Sequence, residues 1–175
     1  MKLKPLEERV EEKLKQVIED KKRSGRKKLT EFDIAQIKRN LREGEKEIDH
    51  WINCEAAFMA AWRQGVSYLS GKGFFHNEHM FAEARIRNTI RPNLSTFAEI
   101  SNEASSGEVK FAYMMASFYN QRVISMFAEE HGVDISFTGI SGLGLQFRNV
   151  IKDLLINYNG WSLAEEDYRY VRSLF

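Results

Sequence analysis

Glu45-Lys46-Glu47-Ile48-Asp49-His50-Trp51-Ile52-Asn53-Cys54-Glu55-Ala56-Ala57-Phe58-Met59-Ala60-Ala61-Trp62-Arg63-Gln64-Gly65-Val66-Ser67-Tyr68-Leu69 is the stretch on which the fold turns. Its apolar residues recur at helical spacing, and its alanines let neighbouring helices approach closely. Read as one helix, it is an alanine-rich core element. Broken near Asn53-Cys54, it becomes two shorter helices with a turn between them. Asparagine is the residue most tolerant of a left-handed turn after glycine, so the sequence leaves both readings open.

Upstream, Thr30 is a good N-cap, and Phe32, Ile34, Ile37 and Leu41 form an apolar stripe that predicts a helix ending near Gly44. Before it, Pro5 suits a first helical turn, and Leu6, Val10, Leu14 and Val17 predict a helix to about Asp20. Downstream, Gly71-Lys72-Gly73 marks a boundary. Helices are predicted over about 77–90, interrupted by Pro92, and from a Ser95 cap to about Asn102. The strongest helical pattern runs from Glu108 to His131, with Gly132 placed to end it. Residues 133–145 are rich in glycine and β-branched residues and read as an irregular loop or a short strand. Gln146 to Tyr158 returns to helix, and Ser162 with Glu165 has the capping-box pattern of a last one. The expectation is an all-α fold: a compact bundle of seven or eight helices with one Gly-rich loop at about 133–145. Three regions follow: 1–29 as charged helix and basic arm, 30–72 as the ambiguous helical segment, and 73–175 as helical core and oligomerisation region, packed as one unit with 30–72.

The chain has 175 residues, with 26 Lys and Arg against 25 Asp and Glu, so it does not coat nucleic acid over its whole surface. The basic charge is local. Lys21, Lys22, Arg23, Arg26, Lys27 and Lys28 fall within eight positions that hold no acid. One cysteine, Cys54, excludes an internal disulfide and a cysteine-rich zinc module and fits a reducing, cytoplasmic setting. No apolar run approaches the roughly 20 residues that span a bilayer, and the N-terminus carries no signal-peptide core.

The run Gly25-Arg26-Lys27-Lys28-Leu29-Thr30, the helix to Gly44 and the segment Glu47 to Trp62 resemble the helix-turn-helix DNA-binding region of resolvase and invertase recombinases, and transposase modules of that type. The resemblance covers residues 25–65. It implies a basic arm before helix one, an apolar pair on helix two (Ile48 with Trp51 and Ile52), a turn at Asn53 and a recognition helix over about Glu55 to Gln64. Asp49 stands where that pattern has a small alanine. The implied contacts to double-stranded DNA are Arg26, Lys27 and Lys28 on backbone or minor groove, Lys38 and Arg39 on phosphates, and Arg63 and Gln64 near base edges. Because the recognition helix would otherwise present Glu55 and alanines, the implied sequence preference is low.

Other constellations are thinner. His76 and His79, with Glu83, offer nitrogen and oxygen ligands for a metal. Glu47 and His50 have the spacing of a di-iron half-site, but no second copy exists. The glycines of 139–144 lack the lysine of a phosphate loop. No cofactor is implied, and nothing obliges an enzyme. The aromatic C-terminus (Trp161, Tyr168, Tyr170, Phe175) points to a homo-oligomer, a partner groove or docking onto the chain's own core. The function expected is therefore DNA binding through the arm. The alternative is a helical adaptor or inhibitor that binds another protein, and a weaker one is a metal-dependent helical enzyme.

Overall fold

The computed structural model describes residues 4–25, 29–69, 73–75 and 92–158. Among them the fold is all-α, with five α-helices rather than seven or eight: α1 (Leu6–Arg23), α2 (Glu31–Tyr68), α3 (Phe97–Ser101), α4 (Ser106–Glu130) and α5 (Leu145–Ile156). The helices expected over 77–90 and after Ser162 lie outside the described residues. The lower count also has a physical reason, since two expected helices are one.

That one is α2, 38 residues without a break. Thr30 starts it as expected: its Oγ1 accepts from the Asp33 amide at 3.2 Å, and the Asp33 carboxylate accepts from the Thr30 amide at 2.9 Å. Gly44 does not stop it, because its backbone stays helical and a Cβ there would meet nothing within 4 Å. Asn53 makes no turn. The reason lies in a register that runs through both positions. Ile34, Ile37, Leu41, Gly44, Ile48, Trp51, Glu55, Phe58, Trp62, Gly65 and Leu69 alternate spacings of three and four. A seam of that period is continuous only if the helix is continuous.

The chain divides into two compact units, and the division falls within α2, between Asn53 and Cys54. In the first unit α1 and the opening part of α2 form an antiparallel hairpin. Glu7 meets Arg42 and Glu11 meets Lys38, so numbers rise on one helix as they fall on the other. Val10 and Leu14 are buried on α1, while the α2 seam from Ile34 to Trp51 is half-buried.

In the second unit the same seam is fully buried from Glu55 to Leu69. Gly65 marks a close approach: a Cβ there would lie 2.5 Å from Met115 Sδ and 3.0 Å from Val150 Cγ1, so a larger residue has to displace the end of the Met115 side chain. The six consecutive residues Phe111 to Ala116 of α4 are all buried, which makes this stretch the centre of the core. Aromatic rings surround it, including the Phe97–Tyr113 edge contact at 4.8 Å and the Phe111–Phe147 stack at 4.4 Å. Ser105 and Glu108 close a capping box ahead of α4. Gly132, at φ 65°, ends it with the Val133 amide donating to Ala128 O at 2.7 Å, the bond of a Schellman motif. Ser95 does not cap α3. Thr96 precedes that helix, and the Ser95 hydroxyl donates to Asn93 Oδ1 instead.

The expected single rod over 108–131 is interrupted. Asn120 has φ −152° and ψ 90°, outside helical geometry, and its Oδ1 caps the Val123 amide at 3.2 Å. The Tyr113 hydroxyl is hydrogen-bonded to Nδ1 of His131, 18 positions on. Along a straight helix that separation is about 27 Å, farther than the two side chains reach together. α4 is therefore folded back at Asn120 into two packed segments. Residues 133–144 form no strand: they are irregular at both ends around a 3₁₀-helix, Phe137–Gly142, capped by Ser136.

Candidate functional site: the charged hairpin of the first unit

The hairpin concentrates more interlocking charge than any other described part of the chain. Arg9 lies beside Val10 on the face of α1 turned to α2, and it is 7% exposed. Its Nη2 donates to both oxygens of Asp49 at 2.7 Å. Its Nη1 lies 3.1 Å from Glu45 Oε2, near enough for an ion pair but not aligned as a hydrogen bond. Glu45 is 1% exposed and also pairs with Lys13. Asp49, which breaks the recombinase pattern, thus has a physical role as the carboxylate that holds Arg9. Arg9 Nε is buried without a hydrogen-bond partner. The cluster is buried and incompletely satisfied, a combination in which desolvation offsets much of the attraction between the charges.

Around this buried centre runs an exposed ring of pairs. Arg42 Nη2 donates to Glu7 at 2.8 Å, and this hydrogen bond holds the Glu7 carboxyl below its ordinary range and raises the Arg42 guanidinium. Lys4 reaches Glu12 at 2.5 Å and is raised by that contact. These pairs lie at the surface, where water and salt screen them.

These partners bear directly on the residues the sequence assigned to DNA. Lys38 is hydrogen-bonded to Glu11, and Arg39 donates to Glu43 on its own helix at 3.2 Å. Arg63 is half-buried and engaged in an interaction, and Gln64 Nε2 donates to the Tyr68 hydroxyl at 2.9 Å. Arg26, Lys27 and Lys28 lie outside the described residues, as do His76, His79 and Glu83. The structure brings Lys38 into the hairpin seam and leaves Arg63 and Gln64 in the second unit. With α2 unbroken, no separate recognition helix exists in 30–68. Among the described residues no three His, Cys, Asp or Glu side chains cluster as a metal site, and no helix is long and apolar enough to cross a membrane.

The Arg9–Glu45–Asp49 cluster was not anticipated. Its signal was present in the sequence as charged residues next to, or within, an apolar seam. Nothing in the sequence alone pairs residues 36 and 40 positions apart. At the loop end of the hairpin one large apolar side chain is left outside: Phe32, in the first turn of α2, is 76% exposed. Comparison of the chain with protein-family models, with curated proteins and with solved structures finds no match in any of the three.

Proposed function

We propose that this protein works by binding another protein, as a helical adaptor or inhibitor, through the loop end of the α1–α2 hairpin. The observation that carries this reading is Phe32. Phe32, at 76%, is the most exposed large apolar side chain among the described residues, and it stands at the loop end of the hairpin, where a partner could enclose it as an anchor. The DNA reading has less to draw on, because two of its phosphate contacts, Lys38 and Arg39, already hold carboxylates of the same chain.

A photo-crosslinking phenylalanine analogue at position 32 tests the proposal in cells, alongside titration of the purified protein with random-sequence duplex DNA. A discrete crosslinked protein, lost when the analogue is moved to exposed Gln36, supports it. Duplex binding that weakens steeply with salt and disappears when Arg26, Lys27 and Lys28 become alanine, with no crosslink, overturns it in favour of DNA.

A further inference from the structure

The fold-back in α4 has an unusual local sequence. From Glu108 to Glu130 there is no glycine and no proline, and the apolar spacing is that of one uninterrupted helix. The break rests on a single residue, Asn120, which is exposed, as are Gln121 and Arg122 beside it. Folding back leaves the last carbonyls of the first segment and the first amides of the second without their helical partners, and Asn120 Oδ1 replaces one bond of that set. Straightening would restore the set. It would also carry residues 121–158 away from the core they complete, where Ile124, Ala128, Phe147, Val150 and Leu154 are all buried.

We propose that residues 121–158 exchange between two copies of this chain by straightening at Asn120, giving a domain-swapped dimer whose occupant of each core is the partner's segment. Every contact broken in one copy has an identical replacement in the other: the Phe111–Phe147 stack, the Tyr113–His131 bond, the Lys110–Asp134 pair and the seat of Val150 against Gly65. Those terms cancel. What remains is the gain of helix at the hinge against the entropy of bringing two chains together. The monomer therefore holds at low concentration, and the hinge residue sets where the dimer takes over. Residues 121–158 belong to the second unit and Phe32 to the first, so the exchanged segment and the proposed anchor are different parts of the chain.

Two substitutions push the hinge in opposite directions. Asn120→Ala removes the cap and favours helix. Gln121→Pro puts proline at the first position of the second segment, where helix starts tolerate it, while a straight helix there does not. It also biases Asn120 toward the extended conformation it already has. The experiment unfolds the full chain, refolds it at high and at low protein concentration, dilutes it, and measures mass by size-exclusion chromatography with light scattering. The expected result is a wild-type dimer from concentrated refolding that reverts to monomer only slowly after dilution, because each exchanged segment must first leave its core, and that is absent in Gln121→Pro. Asn120→Ala should raise the dimerisation constant about tenfold, equivalent to about 1.4 kcal/mol. In a dimer of mixed isotope-labelled copies, the Phe111–Phe147 contact should appear between chains. No persistent wild-type dimer, a dimer unchanged in Gln121→Pro, or a Phe111–Phe147 contact found only within one chain overturns the proposal. If Asn120→Ala fails to fold, the wild-type and Gln121→Pro pair still decides.

Discussion

The Arg9–Glu45 pair gives the sharpest test of how the hairpin is held. Arg9→Met leaves Glu45, 1% exposed, with Lys13 as its remaining described partner. Glu45→Leu leaves Arg9 with Asp49 alone, in a site where Nε already lacks an acceptor. Removing one member of a buried ion pair ordinarily costs about 3–5 kcal/mol, because the other charge stays desolvated. A second partner survives in each case here, so about 2–3 kcal/mol per single variant is expected. The double variant Arg9→Met/Glu45→Leu removes both charges and keeps similar apolar volume. It should fall within about 1 kcal/mol of the wild type, a coupling of at least roughly 3 kcal/mol across the cycle. Urea unfolding followed by circular dichroism supplies the four stabilities, and hydrogen exchange at α1 amides confirms that the loss is in the hairpin. The cycle should change little on adding salt, since the pair is shielded from solvent ions. Additive single variants, with coupling under about 0.5 kcal/mol, would refute the reasoning and mean that the pair is solvated in solution.

Three further outcomes are expected. Gly65→Val places a side chain where even a Cβ lies 2.5 Å from Met115 Sδ, and should cost roughly 2–3 kcal/mol in thermal or urea unfolding; Gly44→Ala, with open space around it, should instead stabilise by about 0.5–1 kcal/mol. The Glu7 carboxyl titrates below the ordinary carboxylate range because Arg42 hydrogen-bonds it, so its stabilising effect holds above that range and fades as pH falls through the lowered folded value; in Arg42→Ala its carbon-13 titration midpoint should move up, and an unmoved midpoint refutes the assignment. Tyr113 titrates above the ordinary tyrosine range, chiefly through burial, so its contribution is complete below that range and is lost as pH rises through the raised folded value; Tyr113→Phe should delete a late phenolate step from the ultraviolet titration and cost about 1 kcal/mol for the bond to His131.

Much of the local structure was legible. Thr30 and Gly132 each act at the helix end expected of them, because capping depends on groups a few residues apart, while the Ser105–Glu108 box ahead of α4 was missed. Gly44 and Asn53 misled for the same reason: locally they are good stops, and only the three-four register on both sides shows that the helix continues. The candidate site was less legible. Lys38 and Arg39 are free cations in a sequence, and their carboxylate partners emerge only when α1 lies antiparallel to α2 or the helix turn is built.

What the amino-acid sequence determined by itself was the all-α class, the positions of most helix ends and the local concentration of basic charge. These follow from short-range rules: propensity, apolar period and side chains that reach neighbouring amides. Only the tertiary structure decided that Arg9 answers Glu45 and Asp49, and that α4 folds back at Asn120. In α4 local preference favours a straight rod. Burial of Ile124, Ala128 and the α5 face against the aromatic core outweighs the few helical bonds lost at one asparagine, and that balance depends on residues far away in the chain.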